Sequence, residues 1–511
     1  MPSELTLTNW DLGGEPSAWA YLHVDELFPT TEIRPRRPPA ELDRAELTSI
    51  AQFPVQPGTS LEEYVASGPI SGIVVVLGGR IVFERYPRMC PGDRHLLMSV
   101  TKVFASAIVG ILERRGLLEL GQPVDTVLFE LAGSGWAGVT IGDVLGMASG
   151  IDCLEIDSPG AYTDPGHPYY RFEASLGWRP AEQEVDTYDL VAALRSHRRP
   201  GQVYEYTGAN TFVLSWLAER VTGLPFAEVL GREIWSQAGF EAPALLCTSA
   251  SGAPASHGGL ATTLRDLARF GMLFTPSGAL ITGSPVIDEE HVRRIHAGAR
   301  LDLYRRREND LPGYVTAAYG RDLPPAGRQW NFVMADGDLF KGGFGGQGLY
   351  ISPGHDMVIA FAGTPRQDGS VNLLRWFSRR LALAPGGLPG PGWRAVASEH
   401  LGLVRVPRGG GAVGVQDQGP APPVNNDLVV EETEQYTVLG AGLAAVLLVP
   451  DVVDLARRGG LVAAAGPSAV LVPQLHGVAD RGRDRLAHPD VQGQAGAAEP
   501  GAELLAAQEA G

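Results

Sequence analysis

The stretch DRHLLMSVTKVFASAIVGILERRG, residues 93–116, decides the fold class and carries the first chemical signal. From Ser99 onward its apolar residues recur every three to four positions, which predicts a buried amphipathic helix that ends near Gly116. Ser99 and Lys102 form an S-x-x-K pair at the start of this helix, where residues three apart share one face. The sequence therefore predicts a serine hydroxyl beside a buried ammonium group.

Patterns on both sides of this helix predict antiparallel strands. SGIVVVLGGRIVFERY, residues 71–86, is two apolar runs around Gly78-Gly79, as in a β-hairpin. LYISP, residues 349–353, and MVIAFAG, residues 357–363, predict two further strands, and helical patterns cover about 210–221, 264–273 and 371–383. We expect an α+β fold: an antiparallel sheet flanked by helices, with a mostly helical insert at about 120–260.

Composition divides the chain into three parts. Residues 1–60 are rich in Pro and polar residues, which predicts an N-terminal arm extended over the core of the main domain, residues 61–384. Residues 394–511 contain no Trp, Phe, Met or Lys and a single Tyr. Because so few aromatics give little to pack, we expect residues 385–511 to be a poorly ordered Gly/Ala/Pro-rich tail.

Charge and cysteine content narrow the partners and the compartment. The formal net charge of −17 argues against nucleic acid as a partner, because phosphate binding needs a basic face. Three cysteines without a CxxC pair cannot make a disulfide framework. The N-terminus lacks a basic and apolar leader, and the longest apolar run is shorter than the ~18 residues of a membrane helix. We expect a cytoplasmic protein that acts on a small molecule and not on a membrane; the sequence does not indicate its oligomeric state.

The two lysines of the chain are the strongest pointer to chemistry. Of 41 Lys and Arg residues only Lys102 and Lys341 are lysines, and Arg can neither give up a proton readily nor present a compact ammonium. Lys341 opens the segment KGGFGGQG, residues 341–348, which we expect to precede a strand whose edge donates a main-chain N–H to an oxyanion. We discount a dinucleotide site there, because a strand and not a helix follows the glycines. Tyr206, just before a predicted helix, is a candidate general base if ammonium groups stabilise its phenolate.

The order of these motifs resembles a known family. Ser-x-x-Lys, a Tyr motif and a Lys-x-Gly triplet look like the serine β-lactamase and penicillin-recognising superfamily, in its class C-like branch, and most of all like its 6-aminohexanoate-dimer hydrolase group. The resemblance runs from about Trp19 to Leu383. It rests on the segments DRHLLMSVTK (93–102), VLGMASGID (144–152), AYTDP through SLGW (161–178), YTGANTFVLSWLAERVTG (206–223), HGGLATTLRDLARFG (257–271) and FGGQGLYISP (344–353).

The resemblance implies a role for each catalytic position. Ser99 would be the nucleophile, and Lys102 would hold Tyr206 anionic or share its proton. Tyr206 would take the Ser99 proton and return it to the leaving group. The backbone N–H groups of Ser99 and Phe344 would form the oxyanion hole.

The resemblance also implies a substrate-binding set: Tyr162, Glu173, Asn210, His257, Lys341 and Gly343. Tyr162 would close over the substrate, and Glu173 would bind a substrate ammonium unless it is a solvated surface side chain. Gly208 stands where class C β-lactamases have Asn, so Asn210 is the nearest amide. Lys341, which the dimer-hydrolase group lacks, would suit a substrate carboxylate.

Together these features imply a serine hydrolase that cleaves an amide bond of a small molecule through a Ser99 acyl-enzyme, without cofactor or metal. A carboxylesterase is the nearest alternative, since one nucleophile and one oxyanion hole serve both bonds. A β-lactamase, a D-amino-acid peptidase and a non-catalytic ligand-binding member are further alternatives. A metal-dependent hydrolase is disfavoured because His291 and His296 lack the i, i+4 spacing of HExxH, and no G-x-S-x-G elbow occurs.

Overall fold

The computed structural model describes residues 2–156, 158–300, 302–303, 326–365 and 373–384, and the backbone of three short strands further on. Those strands, β13 (Glu431–Thr433), β14 (Tyr436–Leu439) and β15 (Val446–Leu447), pair antiparallel in that order. They fall in a compact unit separate from the main one. The rest of the predicted tail, residues 385–511, lies outside the described residues.

Helices account for much of the main unit. They are α1 (Gly14–Ala20), α2 (Val24–Leu27), α3 (Thr48–Ala51), α4 (Leu61–Ser67), α5 (Lys102–Arg114), α6 (Ile141–Leu145), α7 (Pro168–Ser175), α8 (Thr187–Ala192), α9 (Gly208–Thr222), α10 (Phe226–Leu230), α11 (Leu264–Met272), α12 (Glu289–Ala297) and α13 (Leu374–Ala382). A 3₁₀ turn, Met98–Thr101, leads directly into α5. In the described part of the chain, no helix combines the length and the apolar character that crossing a membrane requires.

The strands of the main unit form three antiparallel sheets. They are β1 (Thr30–Ile33), β2 (Pro54–Gln56), β3 (Thr59–Ser60), β4 (Ile70–Leu77), β5 (Arg80–Arg85), β6 (His95–Leu96), β7 (Ala244–Cys247), β8 (Leu260–Thr262), β9 (Phe332–Val333), β10 (Leu339–Gly343), β11 (Gln347–Ser352) and β12 (Met357–Gly363). The main sheet has the order β5-β4-β12-β11-β10-β9, a second has β1-β7-β8-β6, and β2 pairs with β3. The predicted α+β class, with antiparallel sheets flanked by helices, is confirmed.

The main sheet is buried on both faces, which explains why its central strands are apolar throughout. On β4, Val74 and Val76 join the core cluster that contains α5, α9 and α11, whereas Val75 and Leu77 join the cluster that contains α4 and α13. Successive side chains of a strand point to opposite faces, so a sheet covered on both sides needs apolar residues at every position. Each face of the sheet thus packs against its own set of helices.

The predicted hairpin is present and its turn has the predicted chemistry. Leu77 pairs with Arg80, so Gly78 and Gly79 form a two-residue turn with φ of 57° and 73°. Both residues need positive φ, which glycine adopts without steric cost. The helix predicted from Ser99 to near Gly116 is α5, which ends at Arg114, and Gly116 follows its C-cap with a φ of 71°.

The N-terminal segment differs from the expected extended arm. It contains the short helices α1 and α2 and the strand β1, which pairs with β7 across more than two hundred residues of sequence. Trp10 and Tyr21 are fully buried in the larger core cluster. The first thirty residues are therefore part of the core and do not merely lie over it.

Candidate active site

Ser99 lies on the 3₁₀ turn at the start of α5, and not on the α-helix itself. Met98, just before it, has a φ of 47°, so the chain bends sharply as it leaves β6. In a 3₁₀ turn the side chains at i and i+3 eclipse one another, which brings Lys102 over Ser99. The Lys102 Nζ donates a hydrogen bond of 3.1 Å to Ser99 Oγ. Ser99 is partly exposed while Lys102 is fully buried, so solvent reaches the serine but not the lysine.

Lys102 has two further neighbours. Its Nζ donates to the backbone oxygen of His257 at 3.0 Å and lies 3.6 Å from Oε2 of Glu155. Burial lowers the pKa of Lys102, and the charge of Glu155 acts in the opposite direction. The protonation state of this lysine is thus set by a balance between desolvation and one nearby carboxylate.

Tyr206 lies between the two lysines. The Lys341 Nζ donates to its hydroxyl at 2.9 Å, and both Lys102 Nζ and Lys341 Nζ lie 4.7 Å from the centre of its ring. The residue stands just before α9, where Thr207 caps the helix by accepting from the N–H of Ala209. Positive charge near a phenol favours its phenolate form, so this environment suits a tyrosine that accepts a proton. The structure thus brings Ser99 and Tyr206 to the same ammonium group, Lys102 Nζ, and their catalytic roles stay a prediction.

The glycine-rich segment is the tip of a hairpin. Lys341 and Gly343 are already in β10, which pairs with β11, whereas the sequence suggested that the whole segment precedes the strand. A Cβ on Gly343 would lie only 2.6 Å from the carbonyl oxygen of Leu97, two residues before Ser99. Strand β10 therefore packs closely against the Met98–Thr101 turn that carries Ser99, and Phe344 follows β10 directly. An oxyanion role for the N–H of Phe344 stays a prediction.

Two aromatic side chains are exposed at this place. Phe344 and Tyr162 are 48% and 39% exposed, and their rings stack with centroids 6.5 Å apart. The Tyr162 hydroxyl donates a long hydrogen bond of 3.5 Å to Oε1 of Glu155. An exposed aromatic pair beside a partly exposed serine offers an apolar surface to a substrate.

Glu173 is not the solvated side chain that the sequence left open. It is 4% exposed on α7, and Arg179 Nε donates to its Oε2 at 2.7 Å. Arg179 also donates to Asp11 from the N-terminal segment, at 2.9 Å through Nη1. Burial raises the pKa of Glu173 to about 7, although the Arg179 charge opposes this shift. A cation of the chain itself thus already holds this carboxylate, and its binding of a substrate ammonium stays a prediction.

The side chains of His257 and Asn210 are buried, and within the described residues neither makes a hydrogen bond to the side chain of Ser99, Lys102 or Tyr206. The His257 ring packs against Phe172 and Trp178, and within the described residues neither of its nitrogens has a hydrogen-bond partner. Burial and the Lys102 charge hold the pKa of His257 well below its usual range, so the ring is neutral. Asn210 Nδ2 donates to the sulfur of Met147 at 3.5 Å. Substrate contacts by these two side chains stay predictions.

Sequence reasoning missed three charged residues of the site: Glu155, Arg179 and Asp11. Glu155 is a lone carboxylate in the apolar run CLEI, residues 153–156, and a charge in such a run is a signal that could have been used. Asp11 and Arg179 are 168 residues apart, so no local pattern joins them. Within the described ranges, no cluster of His, Cys, Asp and Glu has the arrangement of a metal site.

Most of the chain is similar to known proteins. The model of the Beta-lactamase family matches residues 60–384. The 6-aminohexanoate-dimer hydrolase of Paenarthrobacter ureafaciens is 32% identical over 362 residues, covering 70% of this chain and 87% of that protein.

The chain is also similar to solved structures. The structure named "Putative 6-aminohexanoate-dimer hydrolase from Bacillus anthracis" is 23% identical, with a TM-score of 0.59, and the match covers 75% of this chain and 99% of that one. A family VIII carboxylesterase is 16% identical, with a TM-score of 0.42 over 57% of this chain and 86% of that one. The first of these structures supports the fold, and the second is too distant to carry an argument.

Proposed function

The chain belongs to the beta-lactamase family, and from this premise we propose that it is a serine hydrolase that cleaves an amide bond of a small molecule through an acyl-enzyme on Ser99. The observation that carries the proposal is the placement of Tyr206 between the only two lysines of the chain, next to the Ser99–Lys102 contact. A retained lysine pair in a chain that otherwise uses Arg supports a chemical role for both.

Acylation begins with proton transfer from Ser99 to Tyr206. Tyr206, as phenolate stabilised by the two ammonium groups, accepts the Ser99 proton while Oγ attacks the carbonyl carbon of the substrate. The negative charge that develops on the carbonyl oxygen is stabilised by the N–H groups of Ser99 and Phe344. Ser99 is one of the first residues of the helical segment, so its N–H has no helical partner to compete with the oxyanion.

The same proton then serves the leaving group. Tyr206 returns it to the amine nitrogen as the carbon–nitrogen bond breaks, which leaves the acyl group on Ser99 and Tyr206 as phenolate. A water molecule then loses a proton to Tyr206 and attacks the ester carbon. As the ester carbon–oxygen bond breaks, Tyr206 gives this proton to Ser99 Oγ, which releases the acid and restores the Ser99 hydroxyl and the Tyr206 phenolate. In both half-reactions Lys341 keeps its hydrogen bond to the tyrosine oxygen, so one charged donor supports both.

The substrate class follows from the relative and from the mouth of the site. The relative from Paenarthrobacter ureafaciens is named for a 6-aminohexanoate dimer, a linear amide with apolar methylene chains. The exposed pair Tyr162 and Phe344 suits such chains. An ester of the same acyl group reacts through the same steps with a better leaving group, so carboxylesterase activity is expected as an accompanying activity.

The test is the intact mass of the protein after brief incubation with p-nitrophenyl butyrate. We expect a butyryl adduct on the wild type and on Ser378→Ala, a control that removes a buried serine hydroxyl from α13 outside the site. Ser99→Ala should carry no adduct and should lose more than about a thousandfold in turnover, as expected when a covalent nucleophile is removed. An equal adduct on Ser99→Ala would contradict the proposal. The 6-aminohexanoate dimer, assayed in parallel, tests whether amides are also cleaved.

A further inference from the structure

Glu155 is the one carboxylate among the described residues that forms an ion pair with a catalytic lysine, and the roles assigned above do not use it. It is 8% exposed, and its Oε2 lies 3.6 Å from Lys102 Nζ. This oxygen has no hydrogen-bond partner within the described part of the chain. A buried carboxylate oxygen that faces only an ammonium acts on that ammonium through its charge.

The surroundings of Lys102 explain why this charge matters. The Lys102 ammonium donates to two neutral acceptors, Ser99 Oγ at 3.1 Å and the His257 backbone oxygen at 3.0 Å. Among the carboxylates of the described residues, only Glu155 forms an ion pair with it, at 3.6 Å. Glu155 is therefore the carboxylate that compensates the buried ammonium.

Resting on the function proposed above, we propose that Glu155 is a positioning residue that keeps the proton on Lys102, so that Tyr206 alone serves as the general base. Lys102 then remains a charged donor to Ser99 throughout the reaction and neither takes nor gives a proton. The proton of Ser99 passes to Tyr206 and from there to the leaving group, and the number of protons on Lys102 does not change. The motif alone leaves two roles open for Lys102, that of a proton acceptor and that of a charged donor. The proposal assigns the second.

Glu155 is also held in place by the site itself. Its backbone N–H donates to the carbonyl oxygen of Tyr206 at 3.2 Å, and its Oε1 accepts from the Tyr162 hydroxyl at 3.5 Å. One residue thus contacts the lysine, the backbone of the base and the exposed aromatic at the mouth. A carboxylate fixed at three points keeps its distance to Lys102 constant, which a solvated carboxylate would not.

Other titratable groups near Lys102 do not replace Glu155. Glu173 also raises the pKa of Lys102 by its charge, but Arg179 pairs with it and offsets that charge. The titratable and charged groups that face Lys102 from the elements around it are Glu155, Glu173 on α7, Tyr206 before α9, His257 before β8 and Lys341 on β10. Among these, Glu155 has the largest influence that opposes the lowering of the Lys102 pKa by burial.

The experiment is the pH dependence of kcat/KM for p-nitrophenyl butyrate in the wild type, Glu155→Gln, Glu155→Asp and Glu233→Gln. Glu155→Gln keeps the shape and removes the charge, so Lys102 loses its proton at a lower pH. Because the proposal requires protonated Lys102, we expect the alkaline limb of the profile to move down by about one pH unit or more, with at least a ~10-fold loss at pH 8. Glu155→Asp should restore part of the shift, since it restores the charge.

Glu233→Gln is the matched control, because Glu233 is 3% exposed and paired with Arg115 but lies outside the site. It should leave the profile in place even if it lowers stability. A profile of Glu155→Gln that is unchanged, or that falls uniformly without a shift, would overturn the proposal. So would a downward shift of the acidic limb with a gain at low pH, because this would make neutral Lys102 the base.

The two proposals fail in different ways. If the wild type forms no Ser99 adduct, the proposed function fails and the profile of Glu155→Gln has no bearing on it. If the wild type forms the adduct and Glu155→Gln keeps the wild-type profile, only the role of Glu155 fails.

Discussion

Single residues set the charge balance of the site. The guanidinium of Arg179 holds two buried carboxylates, Asp11 and Glu173, so one positive charge faces two negative ones. The second carboxylate is therefore under-compensated, and burial raises the pKa of Glu173 to about 7. Ser99, Lys102 and Tyr206 could be found from the sequence because short motifs mark them. The pairing of Arg179 with both carboxylates could not be found from the sequence, because its partners come from distant parts of the chain.

The raised pKa of Glu173 predicts a specific dependence of stability on pH. A carboxyl group that binds its proton more tightly in the native than in the unfolded state makes the protein less stable as the pH rises between the two pKa values. We expect the free energy of unfolding of the wild type to fall by about 1–3 kcal/mol relative to Glu173→Gln between pH 4.5 and pH 7. Urea unfolding monitored across this range measures the difference.

The control for this experiment is Glu15→Gln, which changes an exposed glutamate on α1. It should keep the pH dependence of the wild type. If Glu173→Gln and the wild type lose stability in parallel from pH 4.5 to 7, Glu173 does not titrate in this window and the assignment is wrong.

At the scale of elements, local signals were sufficient for some features and not for others. The Gly78-Gly79 turn and the end of α9, where Gly223 has a φ of 68°, were predictable because glycine alone determines them. The end of β10 was not, since its last three residues, Lys341, Gly342 and Gly343, have poor strand propensity. Their strand conformation comes from antiparallel pairing with β11, which the local sequence does not encode.

The close approach of β10 to the Met98–Thr101 turn predicts that one added methyl group lowers stability and slows acylation. In Gly343→Ala the added Cβ would meet the Leu97 carbonyl at 2.6 Å, a backbone atom that cannot rotate away. We expect a loss of about 1–3 kcal/mol in stability and at least a ~10-fold slower acylation, because β10 and the Phe344 turn must move from Ser99. Thermal unfolding and the burst rate with p-nitrophenyl butyrate measure the two effects.

Gly354→Ala is the matched substitution, since nothing lies within 4 Å of its Cβ position. It should change neither quantity by much. Wild-type acylation in Gly343→Ala would show that the position of β10 does not affect the site.

At the scale of the molecule, the family predicted from the order of motifs is confirmed, yet the family model begins only at residue 60. The structure places earlier residues in the core beside the site. Trp10 contacts Tyr21, Phe28 and Trp178 edge to face, and the Trp178 ring lies 4.9 Å from the His257 ring. The backbone oxygen of His257 accepts a hydrogen bond from Lys102 Nζ. The N-terminal segment thus supports the wall behind the lysine.

This arrangement predicts that Trp10→Ala is severely destabilising. Trp10 is 1% exposed and its Nε1 donates to the Trp178 backbone oxygen at 3.0 Å. Removing a fully buried tryptophan costs about 3–5 kcal/mol. Trp19→Ala, which removes a partly buried tryptophan stacked on His23, should cost much less. Chemical denaturation measures the free energy of unfolding of both variants. Equal losses would show that the segment around Trp10 is peripheral.

Because both lysines of the chain lie at Tyr206, the NMR signals of lysine side-chain nitrogens report on this site alone. In a sample labelled with nitrogen-15 in lysine alone, the side-chain nitrogen signals come from Lys102 and Lys341 only, because the chain has no other lysine. A titration of these two resonances would follow the charge of the catalytic centre directly, without mutation and without background from the surface.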